Sequence, residues 1–130
     1  MERHLGSVEF PLGFPSDLAA AAFVAGEEAA WQPAIAGGAV EWFRAHGYAV
    51  LGTEVWLPNG ESIQSLPYFQ SVSRKDHEPW HSFVGRAAAE TLAYLSDFGQ
   101  KFAEEGNVYV NVTWVNEAQF QRLQSHTKPA

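Results

Sequence analysis

The side chains whose types and spacing suit chemistry gather in Asp76-His77-Glu78-Pro79-Trp80-His81. His77 and His81 stand four apart, which puts two imidazoles on one face of a helix. With the Asp76 carboxylate they would form a metal-binding set for a metal-assisted hydrolase or a small-molecule-binding domain. Pro79 decides whether they meet. Proline suits the first helical turn, so the helix begins either at Asp76, with both histidines inside it, or at Pro79, with His77 left in the loop. The ordinary alternative is a polar helix start capped by Asp76 with two solvated histidines, and on that reading no metal and no cofactor is expected.

A second constellation is Gly52-Thr53-Glu54-Val55-Trp56. Burial would make Glu54 a better proton acceptor, but the sequence offers it no catalytic partner. Glu54 is otherwise a solvated or hydrogen-bonded carboxylate, or a recognition residue with Trp56 and Tyr48 supplying contact area beside its charge. Ser62, Ser65, Ser71, Ser73 and Ser82 crowd the same region, yet none lies in a Gly-x-Ser-x-Gly elbow. Neither Gly-x-Gly-x-x-Gly nor a phosphate-binding loop occurs, so serine hydrolysis and nucleotide binding lack support.

The elements that must position these residues follow from periodicity. Residues 1–15 set Val8, Phe10, Leu12 and Phe14 among Gly6, Pro11, Gly13 and Pro15, an extended segment laid on the core and able to serve as an edge strand. Ser16 or Asp17 caps an alanine-rich helix running to about Trp31. Pro33 opens a second helix that ends at His46, where Gly47 takes the left-handed cap; Ile35, Ala39, Trp42, Phe43 and His46 share its stripe. Gly37-Gly38 inside it permit close packing or mark a late helix start.

From Tyr48 to Leu57 the period becomes two, with Ala49, Leu51, Val55 and Leu57 on one side and Tyr48, Val50, Gly52, Glu54 and Trp56 on the other. Pro58-Asn59-Gly60-Glu61 turns the chain into a return strand from Ser62 to Val72. Pro67 cannot donate to a ladder, which makes that strand an edge, or bulged or broken. Asp76 to Gly106 holds the longest helix, its stripe formed by Trp80, Val84, Ala87, Thr91, Tyr94, Leu95, Phe98 and Phe102. Val108, Val110, Val112 and Trp114 alternate as a third strand, and Asn116 caps a last helix to about Gln124, with 126–130 a frayed tail. This order predicts an α+β fold, one domain over 1–130, with a hairpin and third strand in a small sheet and helices packed on one face. Leu51, Val55, Val110, Val112, Phe83 or Val84, Leu95, Phe98 and Ile35 are expected to share its core.

Composition narrows the function. Hydrophobic residues at 46% and aromatics at 14% supply the apolar surface a folded core needs. Eight Lys and Arg against 15 Asp and Glu give a formal net charge of −7, which excludes a phosphate-tracking nucleic-acid binder or an anionic-membrane binder and suits a basic partner. The chain has no cysteine, so disulfides, thiol nucleophiles and thiolate metal sites are out. Met1 to Gly6 carries no apolar leader core, and the expected location is cytoplasmic.

The stretch from Ala39 to Trp56 resembles the helix-to-strand signature of the immunity protein 40 family of bacterial polymorphic toxin systems. In that pattern an amphipathic helix ends at a glycine, here Gly47. A hydrophobic strand follows and closes on a Gly-Gly-acid-aromatic run, matched by Gly52, Glu54 and Trp56, with Thr53 replacing one glycine. The resemblance implies a small cytoplasmic protein, without catalytic residues, that binds and blocks a cognate protein toxin, and the acidic charge suits a basic one.

Overall fold

The computed structural model describes residues 4–104 and 106–127. Its elements in chain order are β1 (His4–Gly6), α1 (Ser16–Ala21), β2 (Phe23–Gly26), β3 (Glu28–Trp31), α2 (Pro33–Ala45), β4 (Ala49–Asn59), β5 (Ser62–Ser71), α3 (Trp80–Glu104), β6 (Tyr109–Val115) and α4 (Glu117–Thr127). The strands form one sheet in the order β1-β2-β3-β6-β4-β5. β1 lies parallel to β2 at one edge, and every other neighbouring pair is antiparallel. The fold is α+β, with α2 and α3 packed on one face.

That face carries the main core. Val24, Ala29, Trp31, Val50, Val55, Val110 and Val112 of the strands meet Ala36, Ala39, Val40 and Phe43 of α2 and Ala88 and Phe102 of α3. A polar chain crosses the same interface: Thr53 Oγ1 donates to Gln70 Oε1 at 3.2 Å, and Gln70 Nε2 donates to Thr91 Oγ1 at 3.2 Å. Thr91 is fully buried, and this bond satisfies its hydroxyl. A Cβ at Gly37 of α2 would lie 3.6 Å from Leu92 Cδ2, an ordinary contact, so close packing does not require the glycine there.

The helix expected from Ser16 or Asp17 to about Trp31 stops at Ala21. The rest of that stretch is the hairpin β2–β3, turned at Gly26 with φ +61. Alanine's helical preference is worth less than about 1 kcal/mol per residue, whereas the hairpin buries Phe23, Val24, Ala29, Ala30 and Trp31. Each large side chain so buried stabilises by roughly 1.5–3 kcal/mol, and Trp31 Nε1 also donates to Leu18 O at 2.7 Å. Tertiary burial wins, and the sheet grows from the expected hairpin and third strand to six strands. That third strand, β6, pairs with β4 as expected and with β3 on its other side.

The hairpin β4–β5 turns at Gly60, φ +64, with Asn59 opposite Ser62. β5 is an edge strand, and Leu66, Pro67 and Tyr68 together span the single residue Val55, so the exposed Pro67 sits in a bulge. β4 has its own bulge at Leu51, between Val50 opposite Trp114 and Gly52 opposite Thr113. It reverses the simple alternation. Val50 joins Val55 in the main core, while Ala49 and Leu51 join a second cluster at the end of the sheet with Val72, Phe83, Val84, Ala87, Val115 and Phe120. Of the expected core, Val55, Val110 and Val112 are central and Ile35 and Leu95 marginal, but Leu51, Phe83 and Val84 belong to this second cluster. Phe98 is 39% exposed, with its ring 5.0 Å from that of Tyr94.

α3 starts beyond Pro79, whose carbonyl accepts from the Phe83 N–H at 3.0 Å. Asn116 caps α4 in a reciprocal box: the Gln119 N–H donates to Asn116 Oδ1 and the Asn116 N–H to Gln119 Oε1, both at 2.8 Å. α4 runs to Thr127, past the expected Gln124, and the rest of the expected frayed tail, 128–130, lies outside the described residues. Among the described residues no helix is long and apolar enough to cross a membrane.

Candidate functional site

On the face away from α2 and α3, strand register sets side chains in rows. One row reads Phe23, Ala30, Asn111, Glu54 and Phe69 from β2 to β5. The next passes through Thr113, Gly52 and Ser71. Gly52 has no side chain to fill its place in that row, and a groove of about 310 Å³ opens around it, lined by Glu28, Leu51, Glu54, Phe69, Asn111 and Thr113 as well. Glycine is required here for a second reason. A Cβ at position 52 would lie 2.5 Å from Gln70 O and 3.3 Å from Ser71 Cα, so β5 passes where a side chain would stand. The Leu51 bulge is what brings Leu51 and Gly52 to the groove together, as bulges beside binding sites commonly do.

The groove is electrostatically one-sided. Its described lining has two carboxylates, Glu28 and Glu54, and no cation. Glu54 Oε1 accepts from Trp56 Nε1 at 3.1 Å and from the Ser65 hydroxyl. Both donors use the same oxygen, which orients the carboxylate and, among the described residues, leaves Oε2 its lone pairs for a ligand. Asn111, 4% exposed, is fixed by donating from Nδ2 to Ala29 O at 2.9 Å. Phe69 is 73% exposed and presents its ring at the β5 side. Carboxylate oxygens beside an accessible ring form a receptor for a positively charged group.

Of the predicted recognition residues, Glu54 lies in the groove. Trp56 is adjacent but buried, 5% exposed, in a cluster with Phe23, Ala30 and Tyr109; its indole packs on Phe23 at 6.4 Å and its N–H steadies Glu54. Tyr48, expected on the same side, is elsewhere. It precedes the β4 bulge and packs against Trp42 at 6.2 Å and Phe43 at 6.0 Å under α2.

The histidine pair does not share a helical face. His77 is in the loop before α3 with φ +62, whereas the exposed His81 lies in the first turn of that helix. Among the described residues no group of three or more His, Cys, Asp and Glu side chains could hold a metal. The loop is organised instead by Glu78, which sequence reading passed over. Arg86 clamps its carboxylate with Nε to Oε2 at 2.9 Å and Nη2 to Oε1 at 2.8 Å, and the Lys75 N–H donates to Oε1 at 3.0 Å. Arg86 also reaches Glu90 at 2.7 Å and Ser73 O at 2.7 Å. The Arg86 hydrogen bonds, then the Lys75 amide, hold the Glu78 carboxyl down at about 2 from an ordinary 4.5.

Comparison with family models, with curated proteins and with solved structures gave no match. The groove residues that the sequence reading does not single out as site residues are Glu28, Phe69, Asn111 and Thr113, of which Asn111 and Thr113 are expected only as the alternate side of the third strand. Glu28 was hidden in the supposed long helix, and Phe69 lies past the Pro67 bulge, whose two extra residues shift the register so that Phe69, not Pro67, stands opposite Glu54. The available signal was Gly52 itself, since an isolated glycine in a strand marks close backbone approach.

Proposed function

We propose that the protein is an immunity-type protein that binds and neutralises a cognate, basic bacterial toxin, with the groove-bearing face as its contact surface and the bacterial cytoplasm as its place of action. The observation that carries this reading is the pairing of Glu28 and Glu54 with the exposed Phe69 ring in one groove on a chain of net charge −7. The resemblance around Gly52, Glu54 and Trp56 points the same way, and the groove gives two of those residues a purpose: Gly52 opens it and Glu54 charges it. Trp56 acts through Glu54.

The experiment is co-expression with the toxin encoded in the neighbouring reading frame. Growth rescue and a stable complex are expected, with rescue weakened by Glu54→Lys and by Phe69→Ser. A neighbourhood without a toxin gene, or a toxin that kills equally with and without this protein, overturns the reading.

A further inference from the structure

The groove does not end at Gly52. Leu51 lines both it and an apolar depression of about 320 Å³ formed with Val72, Ser73, Arg74, Phe120, Leu123 and Gln124. At the other end, Glu28 and Thr113 line both the groove and a smaller hollow of about 100 Å³ that adds Glu27, Val112 and Trp114. Shared residues set these three hollows side by side, as a channel whose chemistry changes along its length. Glu27, Glu28 and Glu54 supply negative charge at one end and in the middle, whereas Leu51 and the 48% exposed Leu123 supply apolar surface at the other, beside Arg74, whose guanidinium lies 5.7 Å over the buried Phe120 ring.

The path crosses strands rather than following one, from β3 over β6 to β4 and on to α4. Strands in a sheet stand about 4.8 Å apart, so Glu28 on β3 and Leu51 on β4 are separated by two spacings, roughly 10 Å, with α4 beyond. An extended chain advances about 3.3 Å per residue. We infer that the channel receives an extended peptide segment of the partner in which an arginine or lysine at the Glu28–Glu54 end is followed about four residues later by an aliphatic side chain seated among Leu51, Phe120 and Leu123. This inference rests on the proposed immunity function and specifies its contact. Charge complementarity selects the basic residue, Phe69 offers its ring face to the cation, and Leu123 gains the burial it lacks in the free protein.

The test uses the blocked peptide acetyl-Lys-Arg-Ser-Gly-Ser-Leu-amide, followed by 15N–1H NMR on the whole protein. Saturable shifts are expected at Glu28, at Leu51 to Glu54 and at Thr113, together with a second set at Phe120 and Leu123. Replacing Lys-Arg by Glu-Glu abolishes both sets, and replacing Leu by Ser removes only the second. Glu28→Gln and Glu54→Gln each weaken binding about threefold to tenfold, and Leu123→Ser removes the second set in a protein whose spectrum is otherwise intact. Shifts elsewhere, no saturable shifts, or equal shifts with the acidic peptide overturn the inference. The outcomes separate from those of the parent reading. A toxin that is neutralised but footprints away from the channel sinks the channel alone, whereas peptide binding without toxin rescue sinks the immunity function alone.

Discussion

At the scale of single residues, Gly52 is the position where fold and site coincide. Gly52→Ala would press a Cβ against the Gln70 carbonyl at 2.5 Å, and that obstacle is backbone, which cannot swing away. The expected cost is about 1–3 kcal/mol, as for other overpacked sites, measured as a lower urea midpoint with an unchanged slope. Trp56 separates two roles. Trp56→Ala removes a buried ring and costs about 3–5 kcal/mol, whereas Trp56→Phe keeps most of the packing and loses the hydrogen bond to Glu54, at about 1 kcal/mol. A Trp56→Phe variant as stable as the parent protein, read by thermal and chemical denaturation, would show that the indole N–H has no part in stability. Glu78 sets the acid limit. Its folded pKa of about 2 lies below the ordinary 4.5, so the folded state binds its proton less tightly than the unfolded chain. The stabilisation is complete above about pH 4.5 and drains away as pH falls toward 2, the sign linkage requires for a depressed carboxylate. Glu78→Gln should flatten that part of a stability-against-pH curve; an unchanged acid limb would show that other carboxylates govern it.

At the scale of elements, stability should be uneven. α1 has no buried residue and six residues in all, held to the sheet by the Leu18 carbonyl under Trp31. β6 is the opposite case, with Tyr109 to Val112 buried and neighbours on both sides. Native-state hydrogen exchange is expected to be fastest in α1 and slowest in β6 and the middle of β4, by orders of magnitude, because local opening of α1 exposes little apolar surface. Comparable protection in the two would refute this ordering. Much of this level was legible in the sequence. The hairpin β4–β5 announced itself through alternation and Asn59-Gly60, Pro67 marked an edge, and α3 declared its stripe. The two elements misread as helix, β2 and β3, were obscured because alanine suits either state and the deciding term was burial against a strand some 80 residues later in the chain.

At the scale of the whole molecule, a net charge of −7 and a groove whose described lining holds two carboxylates and no cation predict, under the proposed function, electrostatic steering onto a basic partner. The association rate should fall about tenfold or more as salt rises from roughly 0.02 to 0.5 M, within the range known for steered encounters. The dissociation rate should move less, since the apolar contacts proposed at Leu51 and Leu123 would not be screened. A salt-insensitive association rate in stopped-flow would reject steering. What the sequence determined by itself is what depends on local chemistry and totals: the α+β class, the acidity, the caps at Asn116 and Gly47, the edge at Pro67, and Glu54 as a residue of interest. Only the tertiary structure decided which side chains meet. A one-residue bulge at Leu51 sent Tyr48 under α2 and left Glu54 in a groove, and a three-for-one bulge at Pro67 put Phe69 opposite it. The Leu51 bulge changes side-chain parity and the Pro67 bulge shifts the register by two; Gly52 and Pro67 mark where they occur but not by how much, because a strand's side-chain period is two and a single inserted residue redirects everything before it.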